Sequence, residues 1–297
     1  MFKNLSPSAL GISGHQSEII ELALTFGFAG MDLAVADFST RAKLRGMDYA
    51  RRLIDSARVR LGSFELPLAL DADDETFKRE LGKLPEYAKA ASEVGCTRCV
   101  VTLAPADDQR PYHENFEFHR RRMGEVCGAL QPAGISLGVG FLAPEYLRKN
   151  RAFQFIHDLD ALSLLLNMVD APNVGVLLDV WDLVACGRSV DSIRQFTTKQ
   201  IIAVQVADMP ADVHMDALDA NSRLLPGAEG GQIDVAGALT ILSDLGYDGP
   251  VSVKPSRSAL QGRRRDLVAK QAGEALTKVW RAAGMASSNS PVIPSRT

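Results

Sequence analysis

Short apolar runs alternate with amphipathic segments from one end of this chain to the other, and that repetition restricts the fold more than any single residue does. A strand-length apolar run followed by a 3.6-period segment is the mark of a β-α unit. Strands are expected to begin near Leu5, Gly30, Leu61, Arg98, Ile135, Val174, Ile202 and Val251, each about five residues long. Helical periodicity falls between them, from Glu18 to Phe26, Met47 to Ala57, Glu75 to Val94, Phe116 to Leu130, Asp160 to Val169, Val235 to Leu245 and Arg265 to Ala283. Gly27, Gly95, Gly134 and Gly246 follow four of these segments, where a left-handed residue lets a helix stop. Eight such units predict an α/β fold, a single-domain (β/α)8 TIM barrel, a size for which about 250 residues is typical. Residues 1–284 carry the pattern, and residues 285–297, rich in Ser and Pro, are expected to be a disordered tail.

With 46% hydrophobic and 23% charged residues and a formal charge of −3, the chain has no general attraction to nucleic acid or to an anionic membrane surface. Its start lacks the apolar core of a signal peptide, and no apolar stretch reaches the length of about 18 residues needed to span a bilayer. The expectation is a cytoplasmic protein with a small-molecule partner, neither nucleic acid nor membrane, with a homo-oligomer left open. Cys96 and Cys99 have Cys-x-x-Cys spacing but fall on a turn and a strand, not at the start of a helix where thiols become reactive. A structural role is expected for them.

In such a barrel the last inward side chains at the C-terminal strand ends form the floor of the site. Asp179 closes the run from Pro172 through Leu178, and Gly140, Gln205 and Lys254 end three further strands at an equivalent level. Side-chain alternation then turns Leu177 and Gly175 inward with Asp179, Ala203 and Ile201 with Gln205, Gly138 and Ser136 with Gly140, and Ser252 with Lys254. Two long loops, Phe141 to His157 and Met209 to Ile233, follow the fifth and seventh strands and should form the rim.

The stretches LGVGFLAPEYLR, VGVLLDVWDLVACG, IIAVQVAD, RLLPGAEGGQID and GYDGPVSVKPS, with the earlier GFAGMDLAV, resemble the xylose-isomerase-like barrel family of sugar phosphate isomerases and epimerases. The resemblance covers most of the chain and is best from Ile135 to Ser256. It implies a divalent metal held by Glu, Asp, His and Glu at successive strand ends, with the two glutamates moving protons beside a carbonyl. Of these positions only the Asp is kept, as Asp179; the others fall on Gly140, Gln205 and Lys254, and a further family histidine falls on Asp182. No cofactor is therefore expected, and a divalent metal is disfavoured. The array of metal ligands of zinc apurinic endonucleases, which share the barrel, is absent from the sequence.

Lys254 and Asp179 are the candidate catalytic pair. Lys254 either replaces the metal's charge as an ion-pair partner of Asp179, in which case its removal should cost about 3–5 kcal/mol, or acts as a base or Schiff-base nucleophile. Candidate substrate contacts are Asp32, Glu65, Asp182, Gln205, Asp208 and Arg223, the last because a forked guanidinium suits a sugar or its phosphate. His113 and His119 are expected on the surface, and the runs His119 to Arg122 and Arg263 to Arg265 on solvated helix faces. The functional expectation is a protein binding a small polyol, keto sugar or sugar acid. It is either a metal-independent isomerase or lyase using Lys254 with Asp179, Asp182 or Glu65, or a non-catalytic ligand-binding or regulatory barrel.

Overall fold

A computed structural model describes residues 1–285, so the expected tail from 286 onward lies outside the described residues. Eight strand positions run in chain order: β1 (Phe2–Leu5), β2 (Gly30–Met31), β3 in two pieces (Arg60–Leu61 and Phe64–Glu65), β4 (Arg98–Thr102), β5 (Ser136–Gly140), β6 (Val174–Asp179), β7 (Ile201–Val206) and β8 (Pro250–Val253). All neighbours in this sheet are parallel. The first piece of β3 pairs with β2 and the second with β4, so one edge of the sheet meets the other through a single strand and the barrel closes. Closure leaves no strand edge to protect.

The helices are α1 (Gln16–Thr25), α2 (Val35–Arg45), α3 (Met47–Ala57), α4 (Asp74–Leu81), α5 (Leu84–Ser92), α6 (Tyr112–Leu130), α7 (Leu159–Val169), α8 (Val180–Ala185), α9 (Val235–Asp244) and α10 (Arg265–Ala282). None of the described helices is long and apolar enough to cross a membrane. The segment expected as one helix from Glu75 to Val94 is two, because Gly82 and Lys83 interrupt it and Pro85 opens the second. Helix α2 was not anticipated; Val35, Phe38 and Ser39 are its buried residues, too few to make a strong period.

Two apolar regions result. The large one lies between the sheet and the helices and includes Cys96 and Cys99, whose thiols burial pushes well up; both are free. The small one fills the barrel and contains Val100, Leu177 and Ala203. Strict alternation fails in β7. There Ile201 pairs with Val176 and Ala203 with Leu177, so Ile202 is the extra residue of a bulge. The bulge turns Ile202, not Ile201, over the barrel interior, where a Cβ on Gly138 would come within 2.9 Å of Ile202 Cβ and one on Gly175 within 2.9 Å of Ile202 Cγ1.

The basic run on α6 is not wholly solvated either. Arg122 is 1% exposed; it donates to the carbonyls of Leu70 (2.7 Å) and Ala72 (2.5 Å), pairs with Asp74, and lies over the rings of Phe77 and Phe118. His119 is buried beside it, and His113 is exposed. Helical spacing places Arg122 and His119 on the inward stripe and Arg120 and Arg121 outside it, and the run of basic letters hides that difference.

Candidate functional site

Asp179 ends β6 and at once caps α8: its Oδ1 accepts from the backbone amides of Trp181 (3.0 Å) and Asp182 (3.4 Å). Its Oδ2 accepts from Lys254 Nζ at 3.1 Å and from Arg223 Nη1 at 2.9 Å. Arg223 also pairs through Nη2 with Asp182, whose other oxygen accepts from the backbone amide of Ala143 at 2.9 Å. The guanidinium lies 4.2 Å over the Trp181 ring, and the Trp181 indole is held by the Ser222 carbonyl at 3.0 Å. Both long loops thus reach the site, one through Ala143 and the other through Arg223.

These are buried charges. Asp179 and Asp182 have side chains 4% and 0% exposed, Arg223 13% and Lys254 23%. Burial pushes the Asp179 carboxyl up, but the Arg223 guanidinium and then the Lys254 ammonium outweigh it and hold the group below the ordinary carboxylate range. For Asp182 burial prevails over Arg223, and the neighbouring Asp179 charge adds to it, so that carboxyl is raised. Lys254 therefore shares Asp179 with a second cation. Lys254→Met is expected to cost about 1–2 kcal/mol in chemical denaturation, less than the sequence-based figure, because Arg223 still neutralises Oδ2. A loss above about 3 kcal/mol would show that Arg223 does not compensate.

Gln205 pairs in register with Asp179 and with Ser252. Its Oε1 is buried with no hydrogen-bond partner among the described residues. Gly140 sits one pleat lower than expected, beside Leu177: a Cβ there would lie 3.3 Å from Leu177 Cδ2. Asp208 is engaged by its own loop. It is 2% exposed, and its carboxylate accepts from the amides of Met209 (2.8 Å), Ile233 (2.9 Å) and Gly227 (3.2 Å), so it pins the base of its own loop. Arg223, expected at a ligand, is instead committed to two carboxylates.

A second polar group lies across the barrel. Asp32 Oδ1 accepts from Asn4 Nδ2 (2.8 Å), Ser63 N (3.0 Å) and Ser63 Oγ (2.9 Å), and Asn4 also donates to Ser252 (2.9 Å). Burial pushes the Asp32 carboxyl up against these donors. Gly62 is required here, since a Cβ would come within 2.4 Å of Asn4 Oδ1. Asp32 and Glu65 line a cleft of about 510 Å³ between the loops that follow β1, β2 and β3; Lys254 is not part of its wall. Glu65 is exposed, pairs in register with the inward Val100, and makes no hydrogen bond or ion pair among the described residues. Trp181, Asn4 and Ser63 were not singled out from sequence, although Asn4 and Ser63 were readable as polar residues interrupting apolar strands.

Known proteins share this architecture. An inosose isomerase of Bacillus velezensis is 23% identical over 225 residues, 72% of this chain and 76% of its own length. A xylose isomerase domain protein from Alicyclobacillus acidocaldarius superposes with a TM-score of 0.83 at 25% identity, covering 95% of this chain and 99% of that one. The IOLI protein with a bound zinc atom superposes with a TM-score of 0.73 at 16% identity, covering 96% and 98%. The family description "xylose isomerase-like TIM barrel" matches residues 20–279. That span takes in seven of the eight strand positions with the whole Asp179 cluster, and the chain belongs to the xylose isomerase-like TIM-barrel family.

Proposed function

We propose that this protein binds a small keto sugar, polyol or sugar acid at the barrel mouth and acts on it as a metal-independent isomerase or lyase. Lys254 receives the carbonyl oxygen and Glu65 takes the proton. The observation that carries this reading is the 3.1 Å contact of Lys254 Nζ with Asp179 Oδ2. An ammonium stands where the resemblance places a carboxylate ligand, and a guanidinium occupies the same Asp179 oxygen. A divalent ion would have to displace both cations, and Gly140 and Gln205 supply no charged donor in exchange. No group of three or more His, Cys, Asp or Glu residues is placed to hold a metal among the described residues. This donor set does not fit a divalent cation.

An ammonium has three donors, and one of those on Lys254 is engaged by Asp179. The other two suit an oxygen on which negative charge develops when a proton leaves the adjacent carbon. All four oxygens of Asp179 and Asp182 accept hydrogen bonds, which makes Asp179 a counter-ion and leaves neither residue as a ready base. Glu65 is free to take the proton and, as the neutral acid, either to return it on the same face or to deliver it to a β-hydroxyl that leaves as water. The same closed cluster favours a second reading, a ligand-binding or regulatory barrel without turnover.

The test incubates chelator-treated protein with a panel of ketoses and keto acids in D2O and follows deuterium entering beside the carbonyl by NMR. Exchange is expected without metal, falling about 10²–10⁴-fold in Glu65→Gln. Exchange that depends on added Mn²⁺ or Mg²⁺, or about one tightly held divalent ion per chain, would sink the metal-independent reading. Saturable binding with no exchange would establish the second one.

A further inference from the structure

The mouth has another lobe, which the reading above leaves unassigned. A cavity of about 410 Å³ lies between the loop after β3, the end of β4 and the first turns of α6. It sits beside an antiparallel ribbon in which Ala106–Asp107 pairs with Phe153–Gln154, joining the loops that follow β4 and β5. Its wall contains two buried polar side chains, Asn115 at 2% and His119 at 6% exposure.

The hydrogen bonding of this pair is incomplete. His119 Nδ1 is 2.9 Å from the Asn115 carbonyl oxygen, and a carbonyl can only accept, so Nδ1 carries the proton. Burial lowers the imidazole below its ordinary range, which favours the neutral ring with Nε2 as an acceptor. Nε2 has no partner among the described residues. The ring is held by aromatic contacts, its centroid 5.0 Å from that of Phe155 and 5.3 Å from that of Phe118. Asn115 Oδ1 is also buried without a partner among the described residues. An oriented acceptor and an unsatisfied amide on one cavity wall call for a ligand with hydroxyl groups.

Charge argues for an uncharged ligand end. Arg110 and Arg151 on the wall are each paired, with Asp107 at 2.9 Å and Asp108 at 3.0 Å, and Asp71 adds a carboxylate that makes no ion pair among the described residues. Among the described residues the lobe thus offers no spare cation to a phosphate or carboxylate. It borders the barrel interior at Gly140: a Cβ there would stand 3.4 Å from Thr102 Oγ1, on the cavity wall, and 3.3 Å from Leu177 Cδ2.

We propose that this lobe is a subsite for the hydroxyl-bearing, uncharged end of a polyol or sugar, bound by His119 Nε2 and the Asn115 amide while the carbonyl end lies at Lys254. Only the placement of the carbonyl end rests on the proposed function.

The test measures binding of two probes to the full chain by calorimetry, D-glucitol for the lobe and dihydroxyacetone for the carbonyl end. His119→Phe, which keeps the aromatic packing, and Thr102→Val, on an exposed part of the wall, should each weaken D-glucitol about tenfold and leave dihydroxyacetone unchanged. Lys254→Met should do the reverse. Thermal melting checks that His119→Phe is folded, and Thr102→Val keeps the proposal open to refutation if it is not. No measurable D-glucitol binding to the parent, or undiminished binding in both lobe variants, overturns the subsite. Dihydroxyacetone binding that ignores Lys254→Met overturns the carbonyl placement and leaves the subsite standing.

Discussion

Arg223→Met should destabilise the fold by about 3–5 kcal/mol, because it removes the one side chain that neutralises two buried carboxylates at once. Asp182 is fully buried and makes no other ion pair among the described residues, and Asp179 would keep Lys254. Urea denaturation of single and double variants makes the test. Arg223→Met combined with Asp182→Asn should recover a large part of the loss, since an amide carries no charge to strand, and the coupling should exceed about 1 kcal/mol. A single-variant loss below about 1 kcal/mol, or additive effects, would mean that water or another cation supports Asp182 and that the bridge contributes little. The contrast with Lys254→Met separates the two cations. Arg223 acts mainly on stability, whereas Lys254 retains donors for a ligand.

A second large effect is expected at Gly175, in the barrel wall. A Cβ on this residue would come within 2.4 Å of the Gln200 carbonyl oxygen and 2.9 Å of Ile202 Cγ1. Backbone cannot yield as a side-chain tip can, so Gly175→Ala should cost about 3 kcal/mol, at the upper end for overpacking, and Gly175→Val more. Ile202→Ala in the same chain should restore only a minor part, because the carbonyl contact remains. Gly124→Ala on α6, where a Cβ meets nothing within 4 Å, is the control and should be neutral or slightly stabilising. If Gly175→Ala melts with the parent, the bulge in β7 is not packed as described.

Strand and helix positions were largely legible because they depend on periodicity and on local stop signals. The left-handed glycines Gly27, Gly95, Gly134 and Gly246 have φ between +68° and +80°, as their positions after helices required. The failures share a cause. Arg122 and His119 stand in a run of basic letters, yet helix geometry sends these two inward. Ile201 and Ile202 exchange faces because a bulge, which leaves no local mark in an apolar run, breaks the alternation. The partners of Asp208 and Arg223 were not legible for the same reason, since a folded loop brings each of them to its protein groups.

From sequence alone, the eightfold alternation determined a closed α/β barrel, and the run ending in Asp179 placed a carboxylate at the end of a strand. Which charges meet there was decided by tertiary structure. Arg223 lies 44 positions from Asp179 and Lys254 lies 75, on a loop and a strand whose approach follows from barrel closure and loop packing. Local preferences reach only a few residues along the chain. The energy of a buried ion pair depends on distance and on exclusion of water, and both exist only after the strands have closed.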